Sequence, residues 1–222
     1  MVDQIKPDAP VLVIGLGRFG AATAGQLDRQ NREVLAVDVD PGLVQKWADR
    51  VTHAVVADVT SMNALKQIGA DEFDIAVVAV GSSVEASVLI ASNLVDLGIR
   101  QIWAKAISQS HGKILERIGV NHVIYPEREA GLRVAHLVSG QMLDFIQFDD
   151  DFVLVKMYPP KAIRGMTLAQ SSVRSRYRIT VVGVKSPGKP FTYATPDTIV
   201  SDRDLIIVSG ATGDVESFSA IG

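Results

Sequence analysis

Apolar and polar residues alternate in one pattern from residue 11 to about residue 125 and in a different pattern after residue 125. In the first part, short apolar runs are separated by longer segments with helical periodicity. The runs are VLVIG, EVLAVD, AVVAD, DIAVVAV, QIWAKA and HVIYP. Strands that are apolar at nearly every position are buried on both faces, as in a parallel sheet covered by helices. The alternation therefore predicts an α/β fold with a Rossmann-like, doubly wound parallel sheet.

The ends of the helical segments carry recognisable signals. Three segments end at a glycine in the C′ position, where glycine adopts the left-handed conformation without steric cost, namely Gly69, Gly98 and Gly119. Pro41 suits the first turn of a helix. Ser82 and Glu85, spaced as Ser-x-x-Glu after the run AVG, predict a capping box at the start of the next helix.

The second pattern of apolar and polar positions begins after an amphipathic helix that is predicted from about Glu127 to Val138. The acidic segment DDDFVLVKMYPP indicates a linker followed by a new strand. A short helix (TLAQSSVRSR), three strands (RITVVGVK, PFTYA and DLIIVSG) and a terminal helix (TGDVESFSAI) are predicted beyond it. We therefore expect a Rossmann-like domain, a linker and a small α+β domain, over residues 9–140, 141–150 and 151–222.

Composition narrows the class of protein. The 222 residues are 47% hydrophobic, yet no uninterrupted apolar run approaches the length of about 18 residues that a membrane span needs. The polar start MVDQIKPDAP lacks the apolar core of a signal peptide, and residues 1–8 are expected to be disordered or ordered only in a complex. The chain has no cysteine, which excludes disulfides and thiol chemistry, and its formal net charge of −3 gives no general attraction to nucleic acid. We expect a soluble, intracellular protein.

A glycine-rich turn follows the first apolar run, in the sequence VLVIGLGRFG. The spacing Gly15-x-Gly17-x-x-Gly20, directly after a strand and at the start of a helix, is typical of a nucleotide-binding loop. Gly15 allows the tight turn, Gly17 lets a pyrophosphate approach the backbone, and Gly20 lets helix and strand pack closely. Asp38 ends the second strand, where its carboxylate would accept hydrogen bonds from ribose hydroxyls and repel the 2′-phosphate of NADP. We therefore predict an adenosine nucleotide here.

Two residues near this loop allow two interpretations each. Arg18 could bind the terminal phosphate of ADP or ATP through its planar guanidinium, or it could be a solvated first-turn side chain. Asp58, at the end of the third strand, could line the adenine side of the crevice or could be a turn aspartate. The segment from Val78 to Ser83 closes the fourth strand at the topological switch point, where ligands bind in such sheets.

Residues suited to catalysis are few. We expect loop or strand-edge positions for two histidines and helix-surface positions for the other two, which are His53 and His122, then His111 and His136. Lys105 and Glu127 end strands on the cofactor side, where either could serve catalysis or form a structural ion pair. We predict that the protein is not an enzyme, with a small NAD-dependent oxidoreductase as an alternative.

Several blocks together resemble one known family. VIGLGRFG, EVLAVDVD, THAVVAD, VAVGSSVEAS, IWAKA and KILERIGVNHVIYPEREAG closely resemble the cytosolic regulatory subunits of Ktr and Trk potassium transporters, which are RCK (also called KTN) domain proteins. The similarity covers nearly the whole chain, and the block ILERIGVNHVIYPEREAG is much more specific than the glycine motif. The Ktr type is more similar than the Trk type, which usually carries two tandem copies in a longer chain.

The resemblance implies a function and an assembly. It implies a homodimer that assembles into a homo-octameric ring in the cytoplasm, peripherally attached to the inner face of the cell membrane beneath a K⁺ transporter subunit of Ktr or Trk type. ATP would favour the active ring shape and ADP the inactive one. By motif, Arg18 would reach the terminal phosphate, and Glu127 would lie near the γ-phosphate with a bound cation. An NAD(H)-responsive subunit of Trk type and a gating module of a K⁺ channel or another ion carrier are the alternatives.

The C-terminal part resembles the RCK C-terminal domain, which in several relatives dimerises and binds cyclic di-AMP between subunits. Val173 and Arg174 keep the spacing of that family, whereas Ala169 stands where a bulkier aliphatic residue commonly stacks on the base. Glu127 is the candidate metal ligand. The candidate nucleotide-binding residues of the chain are Gly15, Gly17, Arg18, Phe19, Gly20, Asp38, Asp58, Val59, Ala79, Gly81, Lys105 and Glu127.

Overall fold

The computed structural model describes residues 5–138, 142–149 and 151–221. The chain divides into two compact units, the first ending at Glu127 and the second beginning at Arg128. Half of the N-terminal segment that was expected to be disordered, and both ends of the expected linker, lie outside the described residues. The two units are built differently, and each is described by itself.

The first unit is built on six parallel strands. They are β1 (Val11–Ile14), β2 (Val34–Asp38), β3 (His53–Val56), β4 (Ile75–Val78), β5 (Gln101–Lys105) and β6 (His122–Ile124). The sheet order is β3-β2-β1-β4-β5-β6, with every pairing parallel, so the order reverses between β1 and β4. Each predicted apolar run contains a strand, and the predicted Rossmann-like, doubly wound fold is confirmed.

Helices cover both faces of this sheet. They are α1 (Arg18–Arg29), α2 (Pro41–Trp47), α3 (Met62–Gln67), α4 (Val84–Asp96) and α5 (Gln109–Arg117), with a 3₁₀ turn at Ala70–Glu72. The next helix, α6 (Pro126–Val138), follows β6 and crosses the boundary between the two units. Along β1, Leu12 and Ile14 belong to one apolar cluster while Val11 and Val13 belong to another. This alternation places one cluster on each face of the sheet, because successive side chains of a strand point in opposite directions.

The helix boundaries follow most of the predicted signals. The three expected C′ glycines have positive φ angles, which are 73° at Gly69, 80° at Gly98 and 102° at Gly119. Pro41 opens α2 behind the cap Asp40. The capping box predicted for Ser82 is wrong: Ser83 caps α4, with its Oγ accepting a hydrogen bond from Ala86 N–H at 3.1 Å. Either serine suits a cap by composition, and the helix begins one residue later than predicted.

The second unit contains an antiparallel sheet with short helices. Its strands are β7 (Met142–Asp149), β8 (Phe152–Met157), β9 (Thr180–Lys185), β10 (Thr192–Tyr193) and β11 (Leu205–Gly210), in the order β10-β9-β11-β8-β7. Its helices after α6 are α7 (Leu168–Ser171), α8 (Val173–Tyr177) and α9 (Thr212–Ser219), with a 3₁₀ turn at Lys161–Ile163. Phe218 and Ile206 are fully buried in its own apolar core. The expected small α+β fold is confirmed.

One expectation for this unit was wrong. The segment predicted as a linker forms β7, which pairs with β8 and buries Met142 and Phe145. The acidic residues that suggested a linker flank the connection between these two strands, since Asp149 ends β7 and Asp151 precedes β8. Acidic residues are favoured at strand connections as well as in linkers, so composition alone did not separate the two.

Candidate functional site

The glycine loop turns where β1 ends. Gly15 has a φ of 96°, a left-handed conformation that side chains other than glycine rarely adopt. Its N–H donates to Val37 O at 2.7 Å, and a Cβ atom on Gly15 would come within 3.0 Å of the carbonyl carbon of Ala79. The tight turn predicted for Gly15 is therefore present, and it packs against the end of β4.

The other two glycines of the motif differ in what surrounds them. A Cβ atom on Gly20 would overlap the carbonyl oxygen of Gly15 and lie 2.8 Å from Ala79 Cβ, so helix α1 can approach the strands only because residue 20 is glycine. At Gly17, no atom lies within 4 Å of the Cβ position. The packing of the described residues therefore does not require glycine at position 17, and the space beside it fits a closely approaching ligand.

Helix α1 begins directly behind this open space. Gly17 is its N-cap and provides no side-chain hydrogen bond to the first turn. The first N–H groups of a helix have no acceptor within the helix, and they carry the positive end of its dipole. An anion that bound next to Gly17 would therefore meet backbone donors, which is the arrangement that binds nucleotide phosphates.

Asp38 lies beside the same loop at the end of β2. Its Oδ2 accepts from Leu16 N–H at 2.5 Å and its Oδ1 accepts from Asp40 N–H at 2.9 Å. These two bonds fix the carboxylate next to the glycine turn. A carboxylate has about four acceptor positions, so two remain for the hydroxyls of a ribose. The position of the Asp38 carboxylate fits its predicted role in binding a ribose, and that role stays a prediction.

A charged cluster lies at the ends of β5 and β6. Lys105 Nζ and Glu127 Oε1 are 2.6 Å apart, and the side chain of Lys105 is 13% exposed while that of Glu127 is 62% exposed. The hydrogen bond from Lys105, with smaller electrostatic contributions from Lys105 and Arg18, lowers the pKa of Glu127. Lys105 Nζ also lies 3.4 Å from the Cβ position of Gly81, which follows β4. The cluster therefore reaches back towards the switch point between β1 and β4.

The remaining predicted site residues show less direct evidence of a role in nucleotide binding. Asp58 is exposed, and its Oδ1 accepts from the N–H of Thr60 at 3.1 Å and from its hydroxyl at 2.8 Å, which lowers the pKa of Asp58. This is the geometry of a turn aspartate. Val59 is buried in the core, and Phe19 packs against the α1 and α2 side of the sheet. Arg18 is exposed, and its charge acts on Glu127.

The histidines include one that the sequence placed wrongly. His53 and His122 begin β3 and β6 and are exposed, close to their predicted edge positions. His111 is buried rather than on a helix surface; its Nδ1 accepts from Ile107 N–H at 3.4 Å, and burial lowers its pKa. His136 is half-buried, stacks on Phe145 and lies 3.3 Å from a carboxylate oxygen of Glu216. Among the described residues, no group of three or more His, Asp or Glu side chains could hold a metal.

A cavity of about 470 Å³ lies in the second unit. Its walls come from α7, α8, the start of β9 and residues 194–196, and include Ala169, Val173 and Arg174. The helix predicted here as one segment is two, because Ser172 adopts a left-handed conformation with a φ of 50°. The three residues that the sequence singled out lie on either side of this break, and all three line the cavity.

Comparison with known proteins identifies the family. The TrkA-N domain matches residues 11–126 and the TrkA-C domain matches residues 152–221. The Ktr system potassium uptake protein A of Bacillus subtilis (strain 168) is 33% identical over 211 residues, which cover 95% of each chain. The Ktr system potassium uptake protein C of the same organism is 34% identical over 207 residues, or 93% of this chain and 94% of the relative. The chain belongs to this family of potassium uptake proteins.

Solved structures agree on the fold. The RCK domain of GsuK aligns with all of this chain and with 48% of its own chain at a TM-score of 0.67 and 16% identity. The GsuK channel bound to NAD aligns at 0.56 and 20% identity, over 98% of this chain and 39% of its own. GsuK bound to ADP aligns at 0.51 and 18% identity, over 60% of this chain and 35% of its own. No helix among the described residues is both long and apolar enough to span a membrane.

Proposed function

We propose that this chain is a regulatory subunit that senses adenine nucleotides and gates a membrane potassium transporter. The glycine loop carries the proposal: Gly17 leaves open space beside the uncapped N-terminus of α1. Membership of the Ktr family of potassium uptake proteins supports the transport role. Catalysis has no part in the proposal, because the described site offers binding groups without a partnered general base for a substrate.

The crevice has a group for each part of a nucleotide. The first N–H groups of α1 would bind phosphate oxygens, and the remaining acceptor positions of Asp38 would bind ribose hydroxyls. The end of β4, at Ala79 and Gly81, would border the phosphates, since Ala79 packs against Gly15. Asp38 disfavours a 2′-phosphate, which leaves ATP, ADP and NAD(H) as candidates.

Discrimination between ATP and ADP requires a contact that only one of them makes. Arg18 begins α1 next to Gly17, Lys105 lies against Gly81, and both cations act on the carboxylate of Glu127. We propose that Arg18 binds the γ-phosphate, which only ATP carries. Glu127 would hold a cation together with phosphate oxygens, because one carboxylate alone does not make a metal site.

Gating would be a change in the shape of an assembly. We propose a homodimer that forms a homo-octameric ring at the cytoplasmic face of the membrane, bound to a K⁺ transporter subunit of Ktr or Trk type. Inverting a 1:99 equilibrium between two ring shapes needs a differential affinity on the order of 5.5 kcal/mol. Eight sites that each add a small preference for one nucleotide could supply this sum together.

Calorimetric titration of Arg18→Ala tests the discrimination. We expect the variant to lose affinity for ATP by about tenfold and to lose much less for ADP, because charge-assisted hydrogen bonds to phosphate contribute roughly 1.5–3 kcal/mol. Arg29→Ala is the matched control, since Arg29 ends the same helix and bonds Gln26. An equal loss of affinity for ATP and ADP would contradict a role of Arg18 at the γ-phosphate.

An NAD(H)-responsive subunit is the second candidate function. The acidic residue at the end of β2 is the feature that NAD-binding folds use for the ribose, and a structural neighbour has been solved with NAD as well as with ADP. Thermal shifts with ATP, ADP, NAD⁺ and NADH separate the candidates, and we expect the largest shift with ATP. Turnover of NADH with a carbonyl substrate would favour the oxidoreductase instead, and we expect none.

The cavity of the second unit is the proposed site for cyclic di-AMP. Arg174 would bind its phosphates, and Val173 would pack against a base. Ala169 offers less apolar area than a larger aliphatic side chain, so we expect weak binding. Calorimetry with cyclic di-AMP tests this, with linear pApA as the control ligand.

A further inference from the structure

Glu127 occupies an unusual electrostatic position for an exposed carboxylate. It accepts a hydrogen bond from Lys105 Nζ at 2.6 Å, and the charge of Arg18 also acts on it. These are the two cations that the proposed function gives to the phosphate tail of a nucleotide. One protein carboxylate therefore already lies among the positive charges that a bound phosphate would need.

The two partners of the ion pair differ in their freedom to move. The side chain of Lys105 is only 13% exposed, and its stem and amine lie 3.4–3.5 Å from the Cβ position of Gly81. A cation with so little exposure needs a nearby anion, because burying an uncompensated charge is costly. Glu127 is 62% exposed and can rotate into solvent. A competing anion would therefore displace Glu127 while Lys105 kept its place.

We propose that Glu127 acts as an internal substitute for a nucleotide phosphate. In this inference, which rests on the proposed nucleotide site, Glu127 neutralises Lys105 before a ligand binds. The phosphate tail then replaces Glu127 as the partner of Lys105, and the released carboxylate becomes free to hold a cation beside the phosphate oxygens. The exchange keeps Lys105 compensated in both states. It also sets a threshold for binding, since a ligand must break the Lys105–Glu127 bond to gain its own contact with Lys105.

Because of the position of Glu127 along the chain, its replacement by phosphate at Lys105 would also affect helix α6. Glu127 is the second residue of α6, which runs from Pro126 to Val138, and it is also the last residue of the first unit. Release of its carboxylate removes the side-chain bond that ties the first turn of α6 to β5. The backbone of the same helix continues into the second unit, so ligand exchange at Lys105 would loosen the segment that joins the units.

Binding of ADP to the full chain in EDTA tests this inference without a bridging cation. We expect Glu127→Gln to bind ADP about fivefold more tightly than the unmodified chain, because an exposed ion pair contributes up to about 1 kcal/mol and the ligand no longer has to break it. Glu116→Gln is the matched control, since Glu116 is an exposed acid in the last turns of α5. Unchanged or weaker binding by Glu127→Gln would overturn the inference.

A double-mutant cycle separates displacement from a general gain of positive charge. In a Lys105→Gln background, we expect Glu127→Gln to give no further gain, because there is no ion pair left to break. A fivefold gain that persisted without Lys105 would overturn the exchange. If the unmodified chain bound neither ADP nor ATP in any buffer, the proposed function itself would fail. Melting temperatures of all variants show that each is folded.

Discussion

The candidate sites of the two units are formed by different parts of the chain, one mainly by backbone and the other by side chains. In the first unit the site consists largely of backbone: Gly15, Gly17 and Gly20 form the turn from β1 into α1, packed against the end of β4. In the second unit, side chains of α7, α8 and β9 line a cavity of about 470 Å³. A backbone site is intolerant of added volume where elements touch, whereas a side-chain pocket can change its lining and keep its fold. Substitutions should therefore affect the two units in opposite ways.

The largest effect is expected from Gly20→Ala. The added methyl group would overlap the carbonyl oxygen of Gly15 and press on Ala79, which is backbone and buried side chain rather than a flexible group. We expect a loss of at least about 3 kcal/mol in the free energy of unfolding of the first unit, since forced overpacking typically costs 1–3 kcal/mol or more. Hydrogen exchange resolved by unit measures it, and the second unit should keep its protection.

Gly17→Ala adds the same methyl group three residues away and serves as the matched partner. Its Cβ would meet no atom within 4 Å, and φ at this position is −62°. We expect a stability change below about 1 kcal/mol but a loss of nucleotide affinity of about tenfold or more, because the methyl group stands where the phosphates would approach. If Gly17→Ala unfolded the first unit, or Gly20→Ala did not, the account of this loop would be wrong.

Arg174→Ala should have the reverse pattern in the second unit. Arg174 lines the cavity and is exposed, so its loss should not change the melting temperature measurably. We expect cyclic di-AMP to bind about tenfold more weakly, since a charge-assisted phosphate contact disappears. Arg176→Ala is the control, because Arg176 lies over the Tyr177 ring on the same helix, 5.2 Å from its centre. Unfolding of the second unit by Arg174→Ala would contradict the view that its side-chain cavity tolerates substitution better than the glycine loop does.

The site in the first unit could largely be predicted because parallel strands end at one edge of a sheet. That rule brought Gly15, Asp38, Lys105 and Glu127 to the same edge from sequence positions more than 100 residues apart. It could not give the 2.6 Å bond between Lys105 and Glu127, which depends on the rotamers of two long side chains. From the sequence, either residue could have served catalysis, but a structural ion pair is the more common role for such residues, and the structure contains that ion pair.

The errors have specific physical causes. β7 was missed because its acidic end resembled a linker, while Met142 and Phe145, three residues apart, gave no alternation to indicate a strand. The break at Ser172 depends on a left-handed serine, which no composition rule predicts. The burial of His111 was detectable, since His111 and Leu115 are four residues apart and share the buried face of α5.

His111 should make the stability of the first unit sensitive to acid. Burial lowers the pKa of His111, so the unfolded chain binds more protons near pH 6, and stability falls as the pH drops through about 6.5. In His111→Asn, we expect the loss of stability between about pH 7.5 and about pH 5.5 to shrink, by at most roughly 1.4 kcal/mol per pH unit. Denaturant midpoints measure it. His53→Asn, an exposed position, should behave like the unmodified chain, and an unchanged slope for His111→Asn would contradict this account.

The smallest effects are expected from surface ion pairs, one in each unit. Asp74 pairs with Arg100 in the first unit, and Asp214 pairs with Arg178 in the second, where the Arg178 side chain is 78% exposed. Solvent screens exposed charges, so we expect Asp74→Asn and Asp214→Asn to leave the melting temperature nearly unchanged. A large fall in the melting temperature of only one variant would mean that surface charge, rather than the way each site is built, makes the two units differ in their sensitivity to substitution. Equal and small effects of the two substitutions would leave packing at the glycine loop as the cause of the greater sensitivity of the first unit.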